Sequence, residues 1–214
     1  MVATSRGLRD WTAVATAITA ALLLAVWVVA RAVTPDPTPL IFPGLTRPGQ
    51  LHDVTRIFGR NLLVLALHSM ACVAGYLAGK SLPEEAARYR GVVKVVHEHA
   101  GPVAITFVSG ATLFSLTTQA YVLGSGASTL AAQGGVAPGL LLVGLLPHAV
   151  PELIALFLPL AAWLLASRRG EWDQLRRATL VTTAIALPVL AAAALVEVYV
   201  SPHFVLWLRS LHFV

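Results

Sequence analysis

Residues 138–167 read PGLLLVGLLPHAVPELIALFLPLAAWLLAS, a stretch of 30 residues in which His148 and Glu152 are the ionisable side chains. A membrane hydrocarbon core of about 30 Å is crossed by roughly 20 helical residues, so this stretch is longer than one straight span needs. Beyond its first residue, Pro138, it contains three prolines, at Pro147, Pro151 and Pro159. Because proline lacks the N–H that a helix requires, the stretch predicts a helix broken near Pro147–Pro151, as in transporters with interrupted spans.

The composition of the whole chain points to the same environment. Of its 214 residues, 57% are hydrophobic and 12% are charged, and the mean hydropathy is +0.77. Soluble domains carry about 25% charged residues, roughly twice this share. The composition therefore excludes a soluble enzyme, a disordered regulator and a nucleic-acid module, although the net charge is +5.

Five apolar segments are long enough to cross the membrane, near residues 11–33, 61–79, 103–123, 138–167 and 178–200. The first could alternatively be a signal peptide, but its apolar run of about 20 residues exceeds the usual 7–15. The sequence thus predicts an all-α polytopic membrane protein, with residues 1–214 forming a single membrane domain of about five transmembrane helices.

The orientation follows from the basic residues between the segments. With the N-terminus inside, ten basic residues lie on the inner side: Arg6, Arg9, Lys80, Arg88, Arg90, Lys94, Arg168, Arg169, Arg176 and Arg177. Five lie on the outer side: Arg31, Arg47, Arg56, Arg60 and Arg209. Since lysine and arginine accumulate in cytoplasmic loops, we expect the N-terminus inside and the C-terminus outside.

A small group of polar side chains falls at the outer ends of the predicted spans. Its members are His148, Glu152, Glu197, Arg31, Arg60 and Asn61, with His68 about two turns deeper. Ionisable residues inside a membrane are costly, so each is a candidate functional residue. His148 and Glu152 are four residues apart and share one helix face.

Three interpretations of this group remain open. It could be a structural network, in which Glu152 and Glu197 each find a partner among Arg31, Arg60, Asn61 and His148. It could handle protons or ions. It could bind a metal as an intramembrane hydrolase, which needs His148, Glu152 and a third ligand such as Glu197 or His203. We predict no bound cofactor or metal and no enzymatic activity.

Two further patterns concern helix packing and partners. Gly75 and Gly79 form a G-x-x-x-G pair, which predicts a close helix contact within one chain or between two chains. Ser81–Glu84 is a capping box that begins an inner helix, which presents Val92, Val93 and Val96 before Gly101-Pro102 ends it. This helix is either a membrane-surface helix or a docking helix for a partner.

Two motifs resemble those of a known family. Residues 146–153, LPHAVPEL, resemble the Pro-His-Gly-x-x-Glu-Leu signature of the stage II sporulation protein M family of bacterial membrane proteins. Residues 193–202, AALVEVYVSP, are similar to its Ala-x-Leu-Ile-Glu-Ala-x-x-Thr-Pro pattern. Asn61, Gly75 and Gly79 agree as well, whereas Ala149 replaces the family's glycine and Pro151 is an addition.

The resemblance implies a non-catalytic component of the bacterial cytoplasmic membrane. The family's sporulation member resembles a scaffold that holds cell-wall hydrolases at a septal membrane. The implied partners are therefore the lipid bilayer and cell-wall machinery, not nucleic acid. The alternative is a permease-type subunit of an exporter, which would use Val92–Val96 to meet a separate ATPase. Association of identical chains is also compatible with the resemblance.

Overall fold

The computed structural model of the chain describes residues 5–211, which are mainly helical and include one isolated β-bridge, between Pro43 and Arg47. The α-helices are α1 (Ser5–Ala32), α2 (Leu51–Tyr76), α3 (Leu82–Ala86), α4 (Val92–Gly134), α5 (Pro138–Arg169), α6 (Leu175–Tyr199) and α7 (Ser201–Leu211). A π-helix at Leu77–Ser81 joins α2 to α3, and a 3₁₀ turn at Trp172–Gln174 precedes α6.

Five described helical segments are long and apolar enough to cross a membrane: Gly7–Ala32, Leu51–Ala86, Val92–Gly134, Pro138–Arg169 and Trp172–Tyr199. The predicted spans fall within these segments to within one residue at their ends. The prediction of an all-α polytopic membrane protein is therefore confirmed.

Helix α5 is the centre of the bundle. It packs against α1, α2, α6 and α7, and Leu156, Phe157 and Ala161 are buried in the main apolar core. A helix that is apolar on all faces suits a central position, and α5 is the most buried of the five described membrane-spanning segments. The polar side chains of α5 are therefore held among several neighbouring helices.

The predicted break near Pro147–Pro151 is wrong, because α5 is one continuous helix through its three prolines. Pro147 and Pro151 lie four residues apart on an exposed face, where their rings do not disturb the packing of the core. A proline frees a backbone carbonyl, and neighbouring helices can satisfy such groups inside a bundle. The continuous helix removes the argument for a cavity at a broken span.

Helix α2 satisfies carbonyl groups around the third proline, Pro159. Nδ1–H of His68 donates to the Leu156 carbonyl oxygen at 2.9 Å, and Sγ–H of Cys72 donates to the Pro159 carbonyl oxygen at 3.0 Å. Leu156 lies three residues before Pro159, in the turn that the proline ring crowds. Tertiary contacts from α2 thus support the helix at this position.

The two glycines of the G-x-x-x-G pair contact tryptophan side chains of the same chain. A Cβ atom at Gly75 would stand 2.7 Å from Cδ1 of Trp163, and one at Gly79 would overlap the ring of Trp172. Both glycines therefore give room to an indole ring. The close contact that their spacing predicts occurs within the chain, against α5 and the 3₁₀ turn.

The sequence predicts one inner helix from Ser81 to Gly101, and this is wrong, because α3 ends at Ala86 and a separate helix, α4, begins at Val92. Gly101-Pro102 does not end α4. It runs without interruption from Val92 to Gly134. At the predicted stop, a Cβ atom on Gly101 would come within 2.8 Å of the Ala78 carbonyl oxygen, so the absence of a side chain lets α4 press against the π-helix. This packing offsets the hydrogen bond that Pro102 removes.

The proline-rich segment between α1 and α2 packs over the ends of the helices. Gly44 has φ +84°, a left-handed conformation that glycine adopts without strain, and a Cβ atom there would overlap Pro202. The backbone N–H of Asp36 donates to Oγ1 of Thr129 at 3.0 Å, and Oγ–H of Ser128 donates to the Val33 carbonyl oxygen at 3.2 Å. The segment is thus tied to α4, α6 and α7.

Candidate functional site

The site is built from two pairs of side chains on antiparallel helices. His148 and Glu152 are four residues apart on α5, and Glu197 and Ser201 are four residues apart across the junction of α6 and α7. Because the two segments run in opposite directions, His148 lies opposite Ser201 and Glu152 lies opposite Glu197. A hydrogen bond of 2.7 Å joins Nδ1 of His148 to Oγ of Ser201, and both side chains are buried.

Helix α2 adds two more polar side chains on the other side of Glu152. The Asn61 amide lies beside the Glu152 carboxyl group, and the Arg60 guanidinium interacts electrostatically with the carboxyl groups of both Glu152 and Glu197. Together these six residues, His148, Glu152, Glu197, Ser201, Arg60 and Asn61, are called the polar cluster below. It holds two carboxyl groups against one guanidinium, so its charges do not balance if both carboxyl groups are ionised.

Two neighbouring polar atoms of the cluster lack hydrogen-bond partners among the described residues. They are Oε2 of Glu152 and Nδ2 of Asn61, both inaccessible to solvent. The Asn61 side chain is nine-tenths buried, with an exposed fraction of 9%. A buried polar group without a partner costs about 1–3 kcal/mol. The cluster is therefore not a closed network of direct hydrogen bonds.

Arg31, which the sequence placed in the same group, lies elsewhere. It ends α1, its side chain is exposed, and its guanidinium lies over the Trp27 ring at 5.1 Å from the ring centroid. Within residues 5–211 it forms no ion pair with Glu152 or Glu197. The structure thus brings together five of the six predicted residues and leaves Arg31 on another face.

His68 lies deeper on α2 and is separate from the cluster. Besides its bond to the Leu156 carbonyl, its ring contacts Phe157, with 5.4 Å between the ring centroids. Its Nε2 atom is buried and has no partner in the part of the chain that the structure describes. The imidazole packs in the apolar core and supports α5.

The geometry does not favour the metal-hydrolase interpretation. His203, one of the possible third ligands, is exposed, and its Nδ1–H donates to the Tyr199 carbonyl oxygen at 2.9 Å. Among residues 5–211, no group of three His, Cys, Asp or Glu side chains is placed to hold a metal ion. The cluster has oxygen and nitrogen groups, but they are not arranged as a ligand set.

Two polar features of the structure were not predicted from the sequence. Ser201 completes the cluster, and its spacing of four from Glu197 matches that of His148 and Glu152, a signal that could have revealed it. Asp53 is fully buried and accepts hydrogen bonds from Nη1 of Arg47 at 2.9 Å and Nη2 of Arg56 at 3.3 Å. The backbone N–H of Gln50 also donates to Asp53, at 3.0 Å, in a capping box that begins α2.

Comparison with known proteins identifies one family. The family model described as "Stage II sporulation protein M" matches residues 15–202, a range that contains the whole polar cluster. No curated protein and no solved structure matches the chain.

Proposed function

The chain belongs to the stage II sporulation protein M family and is a multi-pass membrane protein, and on this premise we propose that it scaffolds or partners other proteins as a non-catalytic component of a bacterial cytoplasmic membrane. Neither catalysis nor a bound cofactor is part of this proposal. The partners it requires are membrane or cytoplasmic proteins, including components of the cell-wall machinery, that bind the chain at a surface that the bundle leaves open.

The proposal depends mainly on one feature of the structure, the first turns of α4. With 43 residues the helix is about 64 Å long at ~1.5 Å per residue, roughly twice the hydrocarbon thickness. Its beginning is the valine face, formed by Val92, Val93, Val95 and Val96, which are all exposed. Because Arg88 and Arg90 lie close by in the chain, we place this end outside the hydrocarbon region.

Exposed valines outside the hydrocarbon region support a docking role. Apolar side chains gathered at one place on a wet surface are typical of protein interaction sites. Exposed apolar residues within the membrane-spanning segments, such as Leu180 on α6, can face lipid and need no protein partner. The valine face thus favours the docking interpretation of this helix over that of a helix lying on the membrane surface.

A photo-crosslinking amino acid at Val96 tests the proposal in native membranes. We expect a discrete adduct with a second protein, identified by mass spectrometry. The same amino acid at Leu180, an exposed position on α6 in the membrane-spanning region, is the matched control and should give none. An adduct with a membrane or cytoplasmic component of the cell-wall machinery supports the scaffold, and an adduct with an ATPase supports the exporter subunit instead. If Val96 gives no adduct, the valine face is not a docking surface.

We also propose that the N-terminus lies inside and the C-terminus outside, from the ten-to-five distribution of basic residues. Ala137→Cys lies in the exposed connection between α4 and α5, and Arg168→Cys is exposed at the other end of α5. A membrane-impermeant maleimide should label Ala137→Cys in intact cells but Arg168→Cys only after permeabilisation. The native thiol, Cys72, is buried and should contribute no background. The opposite labelling pattern would reverse the orientation.

A further inference from the structure

An apolar groove lies between α1 and α5, on a different face from the polar cluster. Its volume is about 390 Å³, and it is lined by Leu23, Trp27, Gly139, Leu142, Val143 and Leu146. Volumes of this size are typical of small-molecule sites. Because both helices span the membrane, the molecules that reach this groove are lipids.

The groove has a positive charge at one end. Arg31 lies one helical turn beyond Trp27, and its guanidinium stacks over the Trp27 ring at 5.1 Å. The side chain is exposed, and no described acidic residue forms an ion pair with it. The adjacent N-terminus of α5, which begins at Pro138, adds a partial positive charge.

We propose that this groove binds one acyl chain of an anionic phospholipid whose phosphate contacts Arg31. The apolar walls suit a hydrocarbon chain, and the unneutralised guanidinium suits a phosphate, which it can bind through two parallel hydrogen bonds. Basic pockets between transmembrane helices bind anionic headgroups in this way. Trp27 lies between the apolar groove and the Arg31 guanidinium, as tryptophan lies between hydrocarbon and headgroups at membrane interfaces.

Gly139 keeps the groove open beside Trp27. A Cβ atom at this position would lie 3.4 Å from Nε1 of Trp27, which is ordinary van der Waals contact. A leucine here would therefore fill the groove beside the indole ring without forcing the helices apart. A substitution at Gly139 therefore tests the groove, whereas a substitution at Arg31 tests the charge.

Native mass spectrometry of the purified protein tests the proposal. The protein is incubated with equal amounts of phosphatidylglycerol and phosphatidylcholine that carry the same acyl chains. We expect phosphatidylglycerol to be retained about fivefold more, the equivalent of ~1 kcal/mol for one basic residue near the headgroups. Arg31→Gln should abolish this preference, and Gly139→Leu should reduce the retention of both lipids.

Two matched variants control for general effects. Arg9→Gln removes an exposed arginine from the other end of α1, and Gly110→Leu adds a side chain on α4 where a Cβ atom meets nothing within 4 Å. Both should retain lipid as the unmodified protein does. Equal retention of the two lipids by the unmodified protein, or an unchanged preference in Arg31→Gln, would overturn the headgroup assignment. Unchanged retention in Gly139→Leu would overturn the groove as the site of the acyl chain.

Discussion

Glu152→Gln is expected to raise the melting temperature of the purified protein in detergent. The Glu152 carboxyl group lies in the bundle with Oε2 buried and unpartnered, and it faces a second carboxyl group on Glu197. A glutamine of the same size removes the repulsion between the two carboxyl groups. Its amide nitrogen can also donate to the Glu197 carboxyl group, which an ionised Glu152 cannot do, while its carbonyl oxygen can still accept from Nδ2 of Asn61. We expect a gain of about 1 kcal/mol in the free energy of unfolding.

Glu84→Gln is the matched control for this experiment. Glu84 is an exposed carboxylate on α3, and its replacement should leave the melting temperature unchanged. Thermal unfolding followed by circular dichroism measures both variants under the same conditions. If Glu152→Gln instead lowers the melting temperature by several degrees, the carboxylate stabilises the bundle through Arg60. The polar cluster would then be structural despite its unpartnered atoms.

Gly75→Leu is expected to cause a large loss of stability. A Cβ atom at Gly75 would lie 2.7 Å from Cδ1 of Trp163, 2.8 Å from its Nε1 and 3.0 Å from Cδ1 of Leu175. Both neighbours are buried, with exposed fractions of 8% for Trp163 and 0% for Leu175, so neither can move aside. Overpacking of a close-packed core costs typically 1–3 kcal/mol, and we expect about 3 kcal/mol here because the leucine has nowhere to extend.

Gly110→Leu makes the same substitution where the added side chain meets no neighbour. It should leave stability unchanged or raise it by up to ~1 kcal/mol, because leucine favours a helix more than glycine does. The comparison is made by thermal unfolding in one detergent. Equal melting temperatures for the two variants would show that Trp163 does not pack against α2 at Gly75.

The sequence by itself predicted the number of membrane helices and their approximate limits. An apolar run of about 20 residues satisfies its backbone hydrogen bonds within a membrane only as a helix, so hydropathy alone decides this part of the fold. The spacing of four between His148 and Glu152 likewise placed both side chains on one face. The helical periodicity of the sequence and the apolar environment of the membrane were sufficient for these predictions.

The pairing of residues across helices depended on the tertiary structure. The sequence assigned Arg31 and Arg60 to similar membrane depths, but depth does not specify the direction in which a side chain points. Arg31 lies over Trp27, whereas Arg60 interacts with Glu152 and Glu197. The rotation of each helix about its axis, which packing sets, decided which arginine joined the polar cluster.

Tertiary contacts also support α4 and α5 at two of the prolines inside them, Pro102 and Pro159. A proline weakens a helix locally, and local reasoning therefore predicted an end at Pro102 and a break near Pro147–Pro151. Near Pro159 the hydrogen bonds from His68 and Cys72 support α5, and at Gly101 close packing on Ala78 supports α4. His68, Cys72 and Ala78 are distant in the sequence from the helix positions that they support. The sequence determined which segments are helical, and the contacts between them supported the continuation of α4 through Pro102 and of α5 through Pro159.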